Sequence, residues 1–174
     1  MMKLEELLKA LDAFVAAPKR LAGTDGPVTW APGHNSNELR AYFPIEVNGE
    51  LLEGARLEVV ALDGPSNSGI QYRLSLCYNA AIARLDHTDE THPNANRIFS
   101  DYVPPSVRGA HYHPWGKNRR FFKGESKAPE LHNAEPFETK GSFDSNLRWF
   151  CQELNIDQPD GRHVIELPRK ERLI

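Results

Sequence analysis

The chain has 174 residues and a mass of 19.7 kDa, enough for one domain whose core needs no disulfide or metal staple. Its 24 acidic and 21 basic residues leave a net charge of -3, which excludes a generally basic nucleic-acid coat protein but leaves room for a local basic patch. Only two cysteines are present, Cys77 and Cys151, so there is no disulfide framework. No segment approaches the ~20 apolar residues of a membrane span, and the start of the chain carries no apolar leader. The expectation is a cytoplasmic protein with no membrane partner.

In chain order, residues 3–17 read as a helix, because Leu4, Leu7, Leu8, Leu11, Phe14 and Val15 recur at helical spacing and Pro18 stops the run. Residues 22–37 are rich in Gly, Pro and Asn and read as loop, with a short strand around Trp30. Residues 38–47 are aromatic and β-branched and predict a strand, in which Pro44 demands an edge or a bulge. Asn48-Gly49 predicts a hairpin turn, since a type I′ turn needs positive φ at both central residues. Strands follow at 55–62, 69–78 and 81–87, the second alternating Ile70, Tyr72, Leu74, Leu76 and Tyr78 against Gln71, Arg73, Ser75, Cys77 and Asn79.

Residues 88–108 read as irregular loop, His111–His113 as a short strand closed by Pro114, and 123–141 as a second loop. Residues 142–154 predict an amphipathic helix with Ser142 as N-cap and Phe143, Leu147, Phe150 and Leu154 on its buried stripe. A last strand is expected over His163–Leu167. The fold expected is α+β, an antiparallel β-meander flanked by N-terminal and C-terminal helices. It forms a single domain 1–174, with an N-terminal helix and hairpin (1–65), a core (66–155) and a tail (156–174).

Three groups of residues could carry chemistry. Five of the seven histidines fall between 87 and 132, and His111 and His113, two apart in a strand, share a face. Two such imidazoles serve either as general base and acid on a phosphodiester or as ligands of zinc or another divalent metal, with Asp86, His87 or His92 completing the shell. The plainer alternative is a solvent-exposed strand end with two unrelated histidines.

From Tyr102 to Lys123 there is no acidic residue but five cations, Arg108, Lys117, Arg119, Arg120 and Lys123. Tyr112, Trp115, Phe121 and Phe122 are interleaved with them, the composition that single-stranded nucleic acid requires. The bland reading is that the aromatics enter the core while the cations solvate a loop. The third group, Arg84, Asp86, His87, Asp89, Glu90 and His92, either binds a cation, orients His111 or His113, or is a solvated acidic loop. Both cysteines read as buried inert thiols.

The order Tyr72-Arg73-Leu74, Arg84-Leu85-Asp86-His87, His111-Tyr112-His113 and then a helix at 142–154 resembles the TumE-like family of toxin–antitoxin proteins over about residues 70–155. The loop between the two motifs is longer than the family pattern, and residues 1–65 have no counterpart in it. The resemblance implies a small α+β domain, an RNA-cleaving toxin, RNA as substrate and a cognate antitoxin as partner. The function expected is therefore a metal-independent endoribonuclease. In it one of His111 and His113 is the base and the other, or His87, the acid; Arg84, Arg119 or Arg120 stabilises the phosphorane, and Asp86 fixes a histidine tautomer. The alternatives are a metal-binding hydrolase or structural metal site built on the histidines, and a non-catalytic phage or mobile-element protein that binds nucleic acid or another protein.

Overall fold

The structure is a computed structural model that describes residues 3–24, 26–63, 69–94, 104–124, 131–157 and 165–169. Helix α1 (Leu4–Ala16) begins where Glu6 Oε2 accepts the Lys3 backbone N–H at 3.2 Å, and it buries Leu7, Leu8, Leu11 and Phe14. Pro18 ends the helical run, and Lys19 then turns inward, its Nζ donating to the carbonyls of Phe14, Val15 and Ala17 at the helix C-terminus. That ammonium occupies the place where a cation is favoured by the helix dipole.

Strand β1 (Lys19–Leu21) and the two-residue β2 (Ala31–Pro32) flank β3 (Glu38–Val47). Asn48 and Gly49 take φ of 55° and 81°, the conformation a type I′ turn requires, and lead into β4 (Glu50–Asp63). Pro44 sits at a bulge: its partner is Arg56, while Glu46 pairs with Leu51, and the extra residues on β4 include Gly54 at φ 79°. A Cβ at Gly54 would collide with Asn79, whose N–H donates to the Gly54 carbonyl. Strand β4 thus begins five residues before the predicted start, because the bulge absorbs the irregular stretch.

Strands β5 (Ile70–Tyr78) and β6 (Ala80–His87) complete the meander. The predicted loop 88–108 contains a ribbon, β7 (Thr91–Pro93) paired with β8 (Ser106–Arg108). Then come β9 (His111–His113), the one-turn helix α2 (Trp115–Asn118) with a 3-10 turn at Arg119–Phe121, β10 (Glu135–Pro136), helix α3 (Phe143–Glu153) and β11 (Ile156–Asp157). Ser142 caps α3, its Oγ accepting the Ser145 N–H at 3.1 Å. Ile165–Leu167 is not a strand; Ile165 buries into the core instead, and residues 163–164 lie outside the described residues.

The main sheet runs β10-β9-β6-β5-β4-β3-β1-β11, with β2 also on β3. Among the described residues every pairing in this sheet is antiparallel except β1 with β11. The fold is α+β, with α1 and α3 flanking the sheet. Both helices lie on one face, where a single core cluster draws on residues from Leu7 to Ile165 and includes Leu57, Val59, Leu74, Leu76, Leu85 and Phe150. Tyr72 meets the edge of Phe143 and Tyr112 the edge of Phe150. Since side chains alternate across a strand, that packing commits the residues between them to the opposite face.

Candidate functional site

Two cross-strand rows on the face away from the helices form the site. Arg73, Asp86 and His111 stand side by side on β5, β6 and β9, and Arg84 stands beside His113 one row along. Asp86 is the hub. It is 6% exposed and accepts from Arg73 Nε at 2.8 Å and Arg84 Nε at 2.6 Å, while His113 Nε2 and His111 Nε2 approach it at 3.2 and 3.4 Å. Burial alone would raise its carboxyl; the hydrogen bonds from His111 and His113 and the charges of Arg84 and Arg73 reverse this and hold it well below the usual carboxylate range.

The β7–β8 ribbon brings a third imidazole. His92 stacks near His111 with ring centroids 5.3 Å apart and meets His113 edge-on at 4.7 Å. One ring nitrogen from each of His92, His111 and His113 lies within 4.8 Å of the others. The remaining contacts orient the rings: His111 Nδ1 is 2.7 Å from the Gly109 carbonyl, and His92 Nε2 is 3.1 Å from the His132 carbonyl. His113 is fully buried, and its Nδ1 has no hydrogen-bond partner. Burial pushes His113 down to about 4 and also lowers His92. Both rings are therefore neutral at neutral pH.

Beside this cluster opens a cavity of about 630 Å³, lined among others by Arg73, Arg84, Asp86, His92 and His111, with Asp89 and Glu90 at its rim. His113 does not line it. Each arginine spends its Nε on Asp86, so the guanidinium forks are fixed at the cavity wall by a shared carboxylate.

Of the residues expected to be catalytic, Asp86, Arg84, His111 and His113 come together, and His87 does not. His87 lies on the helix face, one residue out of phase with Asp86, stacked on Tyr72 at 4.6 Å with the rings 3° from parallel. Strand alternation places it on the face opposite His111 and His113. The composition missed Arg73 and its pairing with Asp86. The hairpin register between β5 and β6 contained that signal.

The basic window does not form the expected stacking surface. Tyr112 and Trp115 are each 5% exposed and belong to the core cluster. Trp115 Nε1 donates to Asp12, and Arg119 pairs with the same carboxylate at 2.9 Å. Lys117 forms an ion pair with Glu135. Arg120 lies over the Phe121 ring at 5.2 Å, and Arg108 and Lys123 are exposed. Carboxylates from α1 and β10 thus offset two of the five cations. The thiols behave as expected: Cys77 and Cys151 are buried, and burial pushes Cys77 up to about 12.

Among the described residues no helix is long and apolar enough to cross a membrane. Comparison with models of protein families, with curated proteins and with solved structures returned no match.

Proposed function

We propose that the chain is an endoribonuclease that cleaves phosphodiester bonds by histidine acid–base chemistry. The observation that carries this reading is that His92 and His111 line the same cavity as Arg73 and Arg84. His92, kept neutral by its burial, takes the proton of a ribose 2′-hydroxyl. The 2′-oxygen attacks phosphorus and the bond to the 5′-oxygen breaks. His111 protonates the departing oxygen, leaving a 2′,3′-cyclic phosphate and a 5′-hydroxyl end. The forks of Arg73 and Arg84 meet the charge that builds on the non-bridging oxygens. Asp86 positions both arginines, and His113 positions Asp86 from below the cavity wall.

The pair is thus His92 and His111 rather than His111 with His113 or His87, because His113 is sealed from solvent and His87 faces the helices. The resemblance to TumE-like toxins supports the substrate class, and a cognate antitoxin remains part of that reading. The test is cleavage of a labelled RNA in EDTA by the wild type, His92→Ala, His111→Ala and, as a control, the exposed His34→Ala. The first two should each lose ~10²–10⁴-fold in rate and the control should lose nothing. A wild type that does not cut, or histidine variants that cut equally well, overturns the proposal.

A further inference from the structure

His92, His111 and His113 form a divalent transition-metal site of the zinc class, we infer, with three imidazole ligands and an open position toward the cavity. Three observations point to it together. The three rings pack within 4.7–5.3 Å of one another, and one nitrogen of each falls within 4.8 Å of the others. Every ring has its second nitrogen beside an oxygen: the Gly109 carbonyl for His111, the His132 carbonyl for His92 and the Asp86 carboxylate for His113. Oxygen acceptors on the far nitrogen are how metal-ligating histidines are oriented and their tautomers fixed.

The third observation is the unpartnered Nδ1 of the fully buried His113. A buried polar atom without a partner demands an explanation. If His113 Nε2–H donates to Asp86, Nδ1 is a bare buried lone pair with no donor to meet it. An ion in the middle of the three rings satisfies it. The alternative tautomer, with Nε2 accepting from Arg84 at 3.1 Å, buries an N–H with no acceptor. Charge agrees with the assignment. Asp89 and Glu90 at the rim favour a cation entering.

The site stands on geometry alone. One consequence rests on the endoribonuclease reading: an ion there takes up the nitrogens of His92 and His111 that would move protons, so occupancy switches cleavage off.

The test uses the full chain without a histidine tag, stripped by chelator and titrated calorimetrically with zinc, with cobalt(II) as a spectroscopic probe of ligand geometry. The expected result is one ion per chain, with His92→Gln weakening binding at least 100-fold. Asp86→Asn should weaken it 10–100-fold through the orientation of His113, and His34→Ala should leave it unchanged. His92 lies on the ribbon outside the core, so its variant keeps the fold, checked by circular dichroism. Less than ~0.1 ion per chain at saturating zinc, or equal affinity in His92→Gln, overturns the site. In parallel, RNA cleavage is followed with zinc and with EDTA. Suppression by zinc supports both the site and the acid–base reading. Cleavage that requires zinc supports the site and overturns metal-free chemistry. Zinc binding with no cleavage under either condition supports the site and overturns the ribonuclease.

Discussion

Replacing Asp86 by asparagine tests the hub that the rest of the site leans on. The change is nearly isosteric, so it removes charge without leaving a cavity. Arg73 and Arg84 lose the anion their Nε groups hold at 2.8 and 2.6 Å. Breaking a buried ion pair from one side costs about 3–5 kcal/mol. Here the arginine side chains retain 36% and 25% exposure, so water takes over part of the solvation and the amide oxygen accepts one of the bonds. The discounted cost is about 2–3 kcal/mol. With a urea dependence of about 2 kcal/mol per M, the unfolding midpoint should fall by about 1–1.5 M at pH 7.

The sign with pH follows from the depressed carboxyl. Its contribution is complete above the unfolded aspartate value near ~3.9 and disappears as pH falls through the lower folded value. The gap between wild type and Asp86→Asn should therefore hold from pH 7 to about 4 and close below that. A double-mutant cycle with Arg73→Met should return a coupling of at least about 1 kcal/mol. A midpoint shift below about 0.25 M, the size of an ordinary surface substitution, or additivity in the cycle would refute the hub.

Both thiols should resist an alkylating reagent at pH 8 in the native protein and react once it is unfolded, since burial holds the Cys77 thiol up at about 12 and Cys151 is buried; mass spectrometry counts the adducts. His87→Phe keeps a ring on Tyr72 and removes a buried Nδ1 that lacks a partner, so stability should hold or rise, and zinc affinity and RNA cleavage should stay within twofold of wild type. Asp12→Asn should lower the melting temperature by no more than a few degrees at low salt, and less at high salt, because the Asp12–Arg119 pair is exposed. The hydrogen bond from Arg119 holds the Asp12 carboxyl below its usual range, so wild type and variant should converge as pH falls below about 4, seen in thermal melts.

Local rules read this chain well where the structure is local. The strand 38–47, the Asn48-Gly49 turn and the Ser142 cap depend on neighbours within a few residues, and each forms where the sequence predicts it. The shared face of His111 and His113, and of Arg84 and Asp86, follows from alternation along one strand. Alternation also excludes His87, which proximity in sequence to Asp86 had recommended. Long-range partners carry no local trace. Glu135 and Asp12, which offset Lys117 and Arg119, lie outside the basic window. His92 reaches the site only because the ribbon hidden in the predicted loop folds over the sheet. Counting charges in a window measures composition, whereas the field at a surface depends on what the fold places opposite.

The site also has a place in the order of assembly. Arg73, Arg84 and Asp86 belong to a meander of consecutive hairpins, whose contacts close over short loops and form early. His111 and His113 arrive on a strand held to β6 by three residue pairs, and His92 on a separate ribbon. Of the three imidazoles, His92 is therefore the lightly attached one, since its ribbon is largely exposed whereas β9 is buried along its length. The ribbon is the piece able to part first, lifting away while the main sheet, buried β9 included, stays folded. Activity or ion binding would then be lost by local opening well before the molecule as a whole unfolds.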